Sequence, residues 1–189
     1  MIVRQKATLP ADKIECGNME ANLIVTYDPT HAGKSQEEVK ELLEEHGGAE
    51  FLESGFEGVF LLHTKTDPKK IVKKLSDACK EEPYKFKHTF RWIPVDRWCD
   101  SKLDEMSKAM KDIDAKIGEH ESWKLDLGKR GYEGDTMGLI MKLTEHINKP
   151  NVNLKSPDKI VKVEIVGDRA GIALLNADEY LNIAKMKMV

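Results

Sequence analysis

Residues 152–174, VNLKSPDKIVKVEIVGDRAGIAL, decide how the second half of this chain folds. Their apolar residues come in short runs rich in Val and Ile, and Pro, Asp and Gly separate the runs. Such runs are typical of strands joined by tight turns. The pattern predicts three closing strands, Val152–Leu154, Ile160–Val166 and Ile172–Leu175. The last two are joined by a glycine-flanked turn, which favours a hairpin.

Helical and strand patterns alternate directly before this block. Asp100-Ser101 caps a helix whose apolar residues recur every three or four positions until Gly118 ends it. Residues 123–127 alternate between apolar and polar, which predicts a strand. Asp135 then caps another helix, and Pro150 ends it. The second half is therefore predicted to be a mixed α/β unit.

The first half has its own order of strand, helix, two strands, helix and strand. The predicted elements are a strand over residues 22–26, a helix that the capping box Ser35-Gln36-Glu37-Glu38 begins and Gly47-Gly48 ends, a strand pair over 50–64, a helix from Asp67-Pro68 to Pro83, and a strand over 84–92. This order favours a ferredoxin-like sheet covered on one face by two helices. We expect an α/β (α+β) chain with one domain over residues 1–92 and another over residues 93–189.

The stretch TYDPTHAGKS, residues 26–35, resembles the start of a phosphate-binding nucleotide loop. An apolar strand pattern precedes Gly33-Lys34-Ser35, and a helical pattern follows. A phosphate-binding loop of this kind needs a glycine five positions before Gly33. Asp28 stands there and would repel a phosphate, and Pro29 lacks an amide donor. We therefore interpret this stretch as an ordinary capped loop.

Composition excludes several classes of protein. The 189 residues are 40% hydrophobic and 33% charged, which is typical of a globular protein and not of a disordered one. No stretch approaches the roughly 20 apolar residues that span a bilayer, and the N-terminus lacks an apolar signal core, so we expect a cytoplasmic protein without a membrane partner. Cys16, Cys79 and Cys99 are too widely spaced to indicate a zinc site or a disulfide framework. The six histidines lack metal-ligand spacing, and Ser, Cys and His show no local catalytic signature, so we expect no metal, no cofactor and no catalytic residue.

Basic residues gather in the second half, at strand ends and turns. Residues 1–83 hold 11 basic against 16 acidic side chains, whereas residues 84–189 hold 19 against 17. The candidate cations there are Lys124, Lys129, Arg130, Lys162 and Arg169. Gly128, Gly131 and Gly134 lie among them and would allow an RNA backbone to come close. Because acidic residues are interleaved, ordinary surface charge is an alternative interpretation.

The stretch from Ile93 to about Leu175 resembles a THUMP domain, the module of tRNA-modifying enzymes. The resemblance rests on IPVDRWCDSKLDEM (residues 93–106), WKLDLGKRGYEGD (residues 123–135) and the block at 152–174, which is the most specific. Residues 20–92 resemble the ferredoxin-like unit that usually accompanies such a domain.

The resemblance implies a protein that binds the acceptor stem and 3′ CCA end of tRNA and presents a distant nucleoside to a catalytic partner. Most members of the family carry the catalytic unit on the same chain. Here only a short segment follows the last strand, which is similar to the stand-alone adaptors of the acetyltransferase that forms acetylcytidine in tRNA. The resemblance therefore implies a non-catalytic adaptor, with tRNA and an RNA acetyltransferase as partners and no DNA.

By position, the resemblance assigns RNA contact to particular side chains. These are Lys124, Lys129, Arg130, Lys162 and Arg169, with Arg91 and Arg97 near the domain junction as further candidates. Tyr132 is a candidate for stacking on a base of the unpaired tail, with packing in the core as the alternative. Asn153 and Asp158 are expected to fix the turn before the long strand and not to touch RNA.

Two other functions remain open at this point. One is a small enzyme of tRNA or nucleotide metabolism whose reactive group is Cys99 or a histidine. The other is a subunit that contacts only protein, through its acidic first helix.

Overall fold

The structure, a computed structural model, describes residues 20–188; Cys16 lies outside them. The first unit consists of β1 (Leu23–Tyr27), α1 (Ala32–Glu44), β2 (Glu50–Leu52), β3 (Val59–His63), α2 (Pro68–Glu81) and β4 (Thr89–Pro94). Its strands are antiparallel in the order β2-β3-β1-β4. Both helices pack on one face of this sheet, where Val39, Leu43, Ile71 and Leu75 are buried. The ferredoxin-like prediction is confirmed.

The second unit is also a mixed α/β layer. It consists of β5 (Arg97–Asp100), α3 (Leu103–Asp114), β6 (Trp123–Arg130), α4 (Thr136–Thr144), β7 (Lys159–Val166) and β8 (Arg169–Asn176). The strand order is β5-β8-β7-β6, and β6 runs parallel to β7 while the other pairs are antiparallel. Apolar residues of α3 and α4, among them Met110 and Leu143, pack against Val161 and Val163 of β7.

The C-terminal segment returns to the first unit. After β8 the chain forms β9 (Leu181–Asn182), which pairs with β4, and a short helix α5 (Ile183–Met186). Leu181 and Ile183 are buried in the core of the first unit. The domain boundary predicted at residues 92 and 93 differs from this arrangement, because β4 continues to Pro94 and the last strand belongs to the first sheet.

The two sheets pack face to face and leave their helices on the outside. Ile24 and Ile93 of the first sheet lie in one apolar cluster with Ile160, Ala173 and Leu175 of the second. Sheets pack in this way when each has an apolar inner face. The molecule therefore has four layers, in the order helices, sheet, sheet, helices.

Two local predictions in the first unit were wrong. Helix α1 begins at Ala32, before the predicted cap, and the Ser35 hydroxyl donates a hydrogen bond back to the His31 carbonyl. Glu38 does not complete a capping box, because its carboxylate accepts hydrogen bonds from the backbone N–H groups of residues 87–89. Those N–H groups are therefore held by α1, and the strand predicted to start at residue 84 begins only at Thr89.

Candidate nucleic-acid interface

The central strand β7 presents charged side chains to the junction between the sheets. Side chains alternate along a strand, so residues 161, 163 and 165 pack under the helices while residues 160, 162, 164 and 166 face the first unit. Lys162 is 0% exposed and Glu164 is 1% exposed. A lysine and a glutamate are almost never buried this fully unless they are paired.

These two side chains belong to a network of four charges, which we call the buried network: Asp126, Arg130, Lys162 and Glu164. Lys162 Nζ lies 2.6 Å from Asp126 Oδ1 and 3.1 Å from Glu164 Oε2. Arg130 Nη1 lies 2.6 Å from Glu164 Oε1. The network is formally neutral, with two cations and two carboxylates, as a buried cluster of charges has to be.

The protonation states of the buried network follow from these contacts. Burial acts to lower the pKa of Lys162, but the carboxylates of Glu164 and Asp126 raise it above the ordinary value. Burial acts to raise the pKa of Asp126, but the charge of Lys162 and its hydrogen bond lower it below the ordinary value. Both groups therefore stay charged at neutral pH.

Lys162 was predicted to contact RNA, and that prediction was wrong. In the sequence it alternates with Val161 and Val163, which indicates a solvent-facing position on a sheet covered on one face only. The structure covers the other face of the sheet with the first unit, so Lys162 is enclosed.

The glycines expected to admit a phosphate are occupied by the chain's own side chains. Gly128 lies beside Glu164 in the β6–β7 register, and a Cβ at Gly128 would collide with the Glu164 carboxylate. A Cβ at Gly131 would come within 2.5 Å of the Phe56 ring, and one at Gly134 would overlap the Tyr132 ring. These glycines therefore make room for packing inside the molecule.

The other candidates at the end of β6 also make internal contacts. The Arg130 side chain is 28% exposed and is bound to Glu164. Lys129 Nζ donates a hydrogen bond to the Gly134 carbonyl and lies 5.9 Å from the centre of the Tyr132 ring. Tyr132 packs against the core under α3 and α4, which is the alternative that the sequence left open for it.

Arg97 lies on β5 and Arg169 on β8. These two strands form the edge of the second sheet opposite to β6. Arg97 Nη1 is 2.6 Å from Asp112 Oδ2. Arg169 Nη2 is 2.8 Å from Glu20 Oε1, and its guanidinium lies 5.7 Å from the Trp98 ring centre. The candidates chosen from the sequence are thus split between two regions, and most of them already have an internal partner.

A different group of cations surrounds the Asp126 end of the buried network, and we call it the edge cluster: Arg91, Lys124 and Lys185. Arg91 lies in β4 beside Asn182 of β9, Lys124 lies in β6, and Lys185 lies in α5. Partial burial, then repulsion from Lys185 and Lys162, lowers the pKa of Lys124. Arg91 is close enough to help lower the pKa of Asp126.

Each member of the edge cluster lacks a carboxylate within 4.0 Å among residues 20–188. Asp126, whose charge acts on Lys124, is already bound by Lys162.

The sequence identified Arg91 and Lys124 as candidates but missed Lys185. No local signal marked Lys185, because it reaches this place only when β9 returns to the first sheet.

Across residues 20–188, no helix combines the length and the apolar character that crossing a bilayer requires.

Comparison with known families identifies the second unit. Residues 101–175 match the family model of the THUMP domain, so this segment is a THUMP domain. That assignment points to RNA binding and to tRNA modification. Curated protein sequences gave no match to the chain.

Solved structures share the fold over most of the chain. PH1313 from Pyrococcus horikoshii Ot3 is 16% identical, with a TM-score of 0.56 over 82% of this chain and 55% of that one. TrmN from Thermus thermophilus is 14% identical, with a TM-score of 0.54 over 80% of this chain and 44% of that one. The chain thus spans about half the length of these proteins, and at such identities the likeness concerns the fold alone.

The fit between Gly128 and Glu164 leads to a stability prediction. The substitution Gly128→Ala should lower the free energy of unfolding by about 3 kcal/mol, because the new Cβ displaces a buried carboxylate from its cations. Urea denaturation followed by circular dichroism measures this. Gly33→Ala is the control, since nothing lies within 4 Å of a Cβ at Gly33. Equal stabilities of the two variants would contradict the prediction.

Proposed function

We propose that this chain, whose residues 101–175 form a THUMP domain, is a non-catalytic adaptor that binds tRNA in the cytoplasm. In this proposal it holds the acceptor stem and 3′ CCA end and presents the tRNA to an RNA acetyltransferase that forms acetylcytidine. The observation that carries the proposal is the edge cluster at the junction of the two units, three cations that have no carboxylate partner among the residues that the structure describes. The acetyltransferase enters through the resemblance of the sequence to stand-alone adaptors.

The edge cluster has the chemistry that a phosphate backbone requires. Lysine and arginine contact phosphates without reading sequence, and such contacts supply most of the affinity for RNA. Arg91 and Lys185 come from the first unit, whereas Lys124 comes from the THUMP domain. An RNA strand bound there would contact both units at once. In this proposal the RNA strand bridges the ferredoxin-like unit and the THUMP domain.

The alternative of a small enzyme finds less support in the contacts. Burial raises the pKa of the Cys99 thiol and of the Cys79 thiol, whereas a reactive cysteine needs a lowered pKa. Asp28, Thr30 and His31 are close together, but both the Asp28 carboxylate and the Thr30 hydroxyl contact Nδ1 of His31. A catalytic triad uses opposite ring nitrogens for the acid and the nucleophile. These contacts are those of a capped turn.

Removal of the edge cluster should weaken RNA binding in a defined way. In the triple variant R91Q/K124Q/K185Q we expect the affinity for tRNA to fall about tenfold or more at low salt. The slope of log affinity against log salt concentration should become shallower by about 2 to 3, because three phosphate contacts are lost. Fluorescence anisotropy with labelled tRNA at several salt concentrations measures both quantities.

The matched control is K111Q/K116Q/K142Q. These three lysines are exposed and carry the same total charge; Lys111 lies on α3, Lys142 on α4, and Lys116 in the turn after α3. The control should keep the affinity and the salt slope of the unmodified protein. An identical loss in both triple variants would show that only net charge matters, and the edge cluster would then have no special role.

The adaptor role itself makes a second prediction. Nucleoside profiling by mass spectrometry should show that tRNA from cells lacking this protein has lost acetylcytidine, while its other modified nucleosides are retained. The purified protein alone should leave tRNA unmodified. Unchanged acetylcytidine in the deletion strain, or modification by the isolated protein, would refute the adaptor role.

A further inference from the structure

A groove runs between α1 and α2 on the outer face of the first unit. Its cavity volume is about 880 Å³. The floor is apolar, because Leu42 and Ala78 are half-buried against the core of the first unit and Leu75 is 3% exposed. Tyr84, in the turn after α2, also lines the groove and is 63% exposed. The groove therefore offers apolar surface and one aromatic side chain to a partner.

The α1 wall of the groove is acidic. Glu37, Glu41 and Glu45 line it at a spacing of four residues, so they lie on one face of the helix. Lys34 lines the groove about one turn before Glu37. All three glutamates are exposed, and among residues 20–188 no cation lies within 4.0 Å of their carboxylates. We call these three glutamates the acidic row.

The acidic row does not stabilise the helix that carries it. Like charges four residues apart repel one another. The C-terminus of a helix is the negative end of its dipole, so acidic side chains are unfavourable there, and the last turn of α1 contains no basic residue. A row of charges that opposes its own helix is typical of a surface that meets a ligand of opposite charge.

The opposite wall of the groove carries cations. Lys74 of α2 and Lys87, which precedes β4, line this wall, and each lacks a carboxylate within 4.0 Å in the part of the chain that the structure describes. Burial and then the charge of Lys74 lower the pKa of His46, which places Lys74 close to the C-terminal end of α1. The two walls thus present opposite charges across an apolar floor.

We infer that this groove receives an amphipathic helix of the partner acetyltransferase, with basic side chains along the flank that faces α1. The inference rests on the proposed function, which supplies the identity of the partner. A helix in a groove buries its apolar face on the floor, and its charged flanks meet the walls. Because the walls differ in charge, one of the two directions of the helix pairs both flanks and the other pairs neither.

The groove and the edge cluster lie on opposite faces of the first sheet. Along β4, Trp92 packs with the helices, whereas Ile93 packs with the second sheet. Side chains alternate along a strand, so Arg91 lies on the side of the second sheet. The acidic row repels a polyanion, so the groove is unsuited to RNA. The protein can therefore hold tRNA and the enzyme at the same time.

The triple variant E37Q/E41Q/E45Q tests the inference. Binding to the purified acetyltransferase is measured by surface plasmon resonance after both proteins have been treated with RNase. The affinity for the enzyme should fall about tenfold, whereas the affinity for tRNA should stay unchanged. The melting temperature should not fall, because the substitutions remove repulsion within α1.

Two further variants separate the acidic row from net charge and from shape. E119Q/E133Q/E145Q is the matched control, because these three exposed glutamates lie in the THUMP domain and do not line the groove. It should keep both affinities. Ala78→Gln leaves the charge unchanged and places a longer polar side chain on the floor, so it should weaken binding of the enzyme several-fold.

Carbodiimide cross-linking provides a measurement that needs no variant. The reagent joins a carboxylate to an amine in contact with it, so the linked peptides, identified by mass spectrometry, record ion pairs. We expect links between the acidic row and lysines of one helix of the acetyltransferase. Links that join the enzyme only to other carboxylates of this chain would overturn the inference.

Three results of the binding experiment would overturn the inference and leave the proposed function intact. E37Q/E41Q/E45Q could bind the enzyme as tightly as the unmodified protein, the control could lose as much affinity as this variant, or the enzyme could bind only when tRNA is present. Failure of the unmodified protein to bind the acetyltransferase with or without tRNA would instead refute the proposed function, and the inference with it.

Discussion

The ion pair between Lys162 and Glu164 is the constraint on which the rest of the structure depends. It lies between two sheets beside an apolar cluster that includes Ile93 and Ile160, where an unpaired charge would be strongly destabilising. Asp126 and Arg130 complete the charge balance from β6, and Gly128 leaves room for the carboxylate. Apolar sheet faces can pack in several orientations. The buried network is satisfied within β6 and β7 of the second sheet, and the first unit packs over it and encloses Lys162 and Glu164.

That placement creates the candidate RNA surface. The edge cluster draws its cations from β4, β6 and α5, segments far apart in the sequence. Partial burial and then repulsion from Lys185 lower the pKa of Lys124, so the fold and not mutual attraction brings these two cations together. A site that collects like charges at the expense of stability is typical of a surface built for a ligand of opposite charge.

Much of the fold could be predicted from the sequence, because its signals are local. The periodicity of α2 and the alternation in β7 act over a few residues, and both predicted the element that forms. The candidate site depended on contacts between the units, and there prediction failed. Lys162 looks solvent-facing until the opposing sheet is known, and Gly128 looks like an opening until Glu164 is placed across from it. Lys185 carried no signal, because only β9 brings it to the site.

The most direct test of the account is to map where tRNA lies on the protein. Bound tRNA is photochemically cross-linked to the unmodified protein, and the linked peptides are identified by mass spectrometry. The account predicts cross-links at the start of β6, in β4 and in α5. Cross-links confined to α3 and α4, or to the helical face of the first unit, would contradict it.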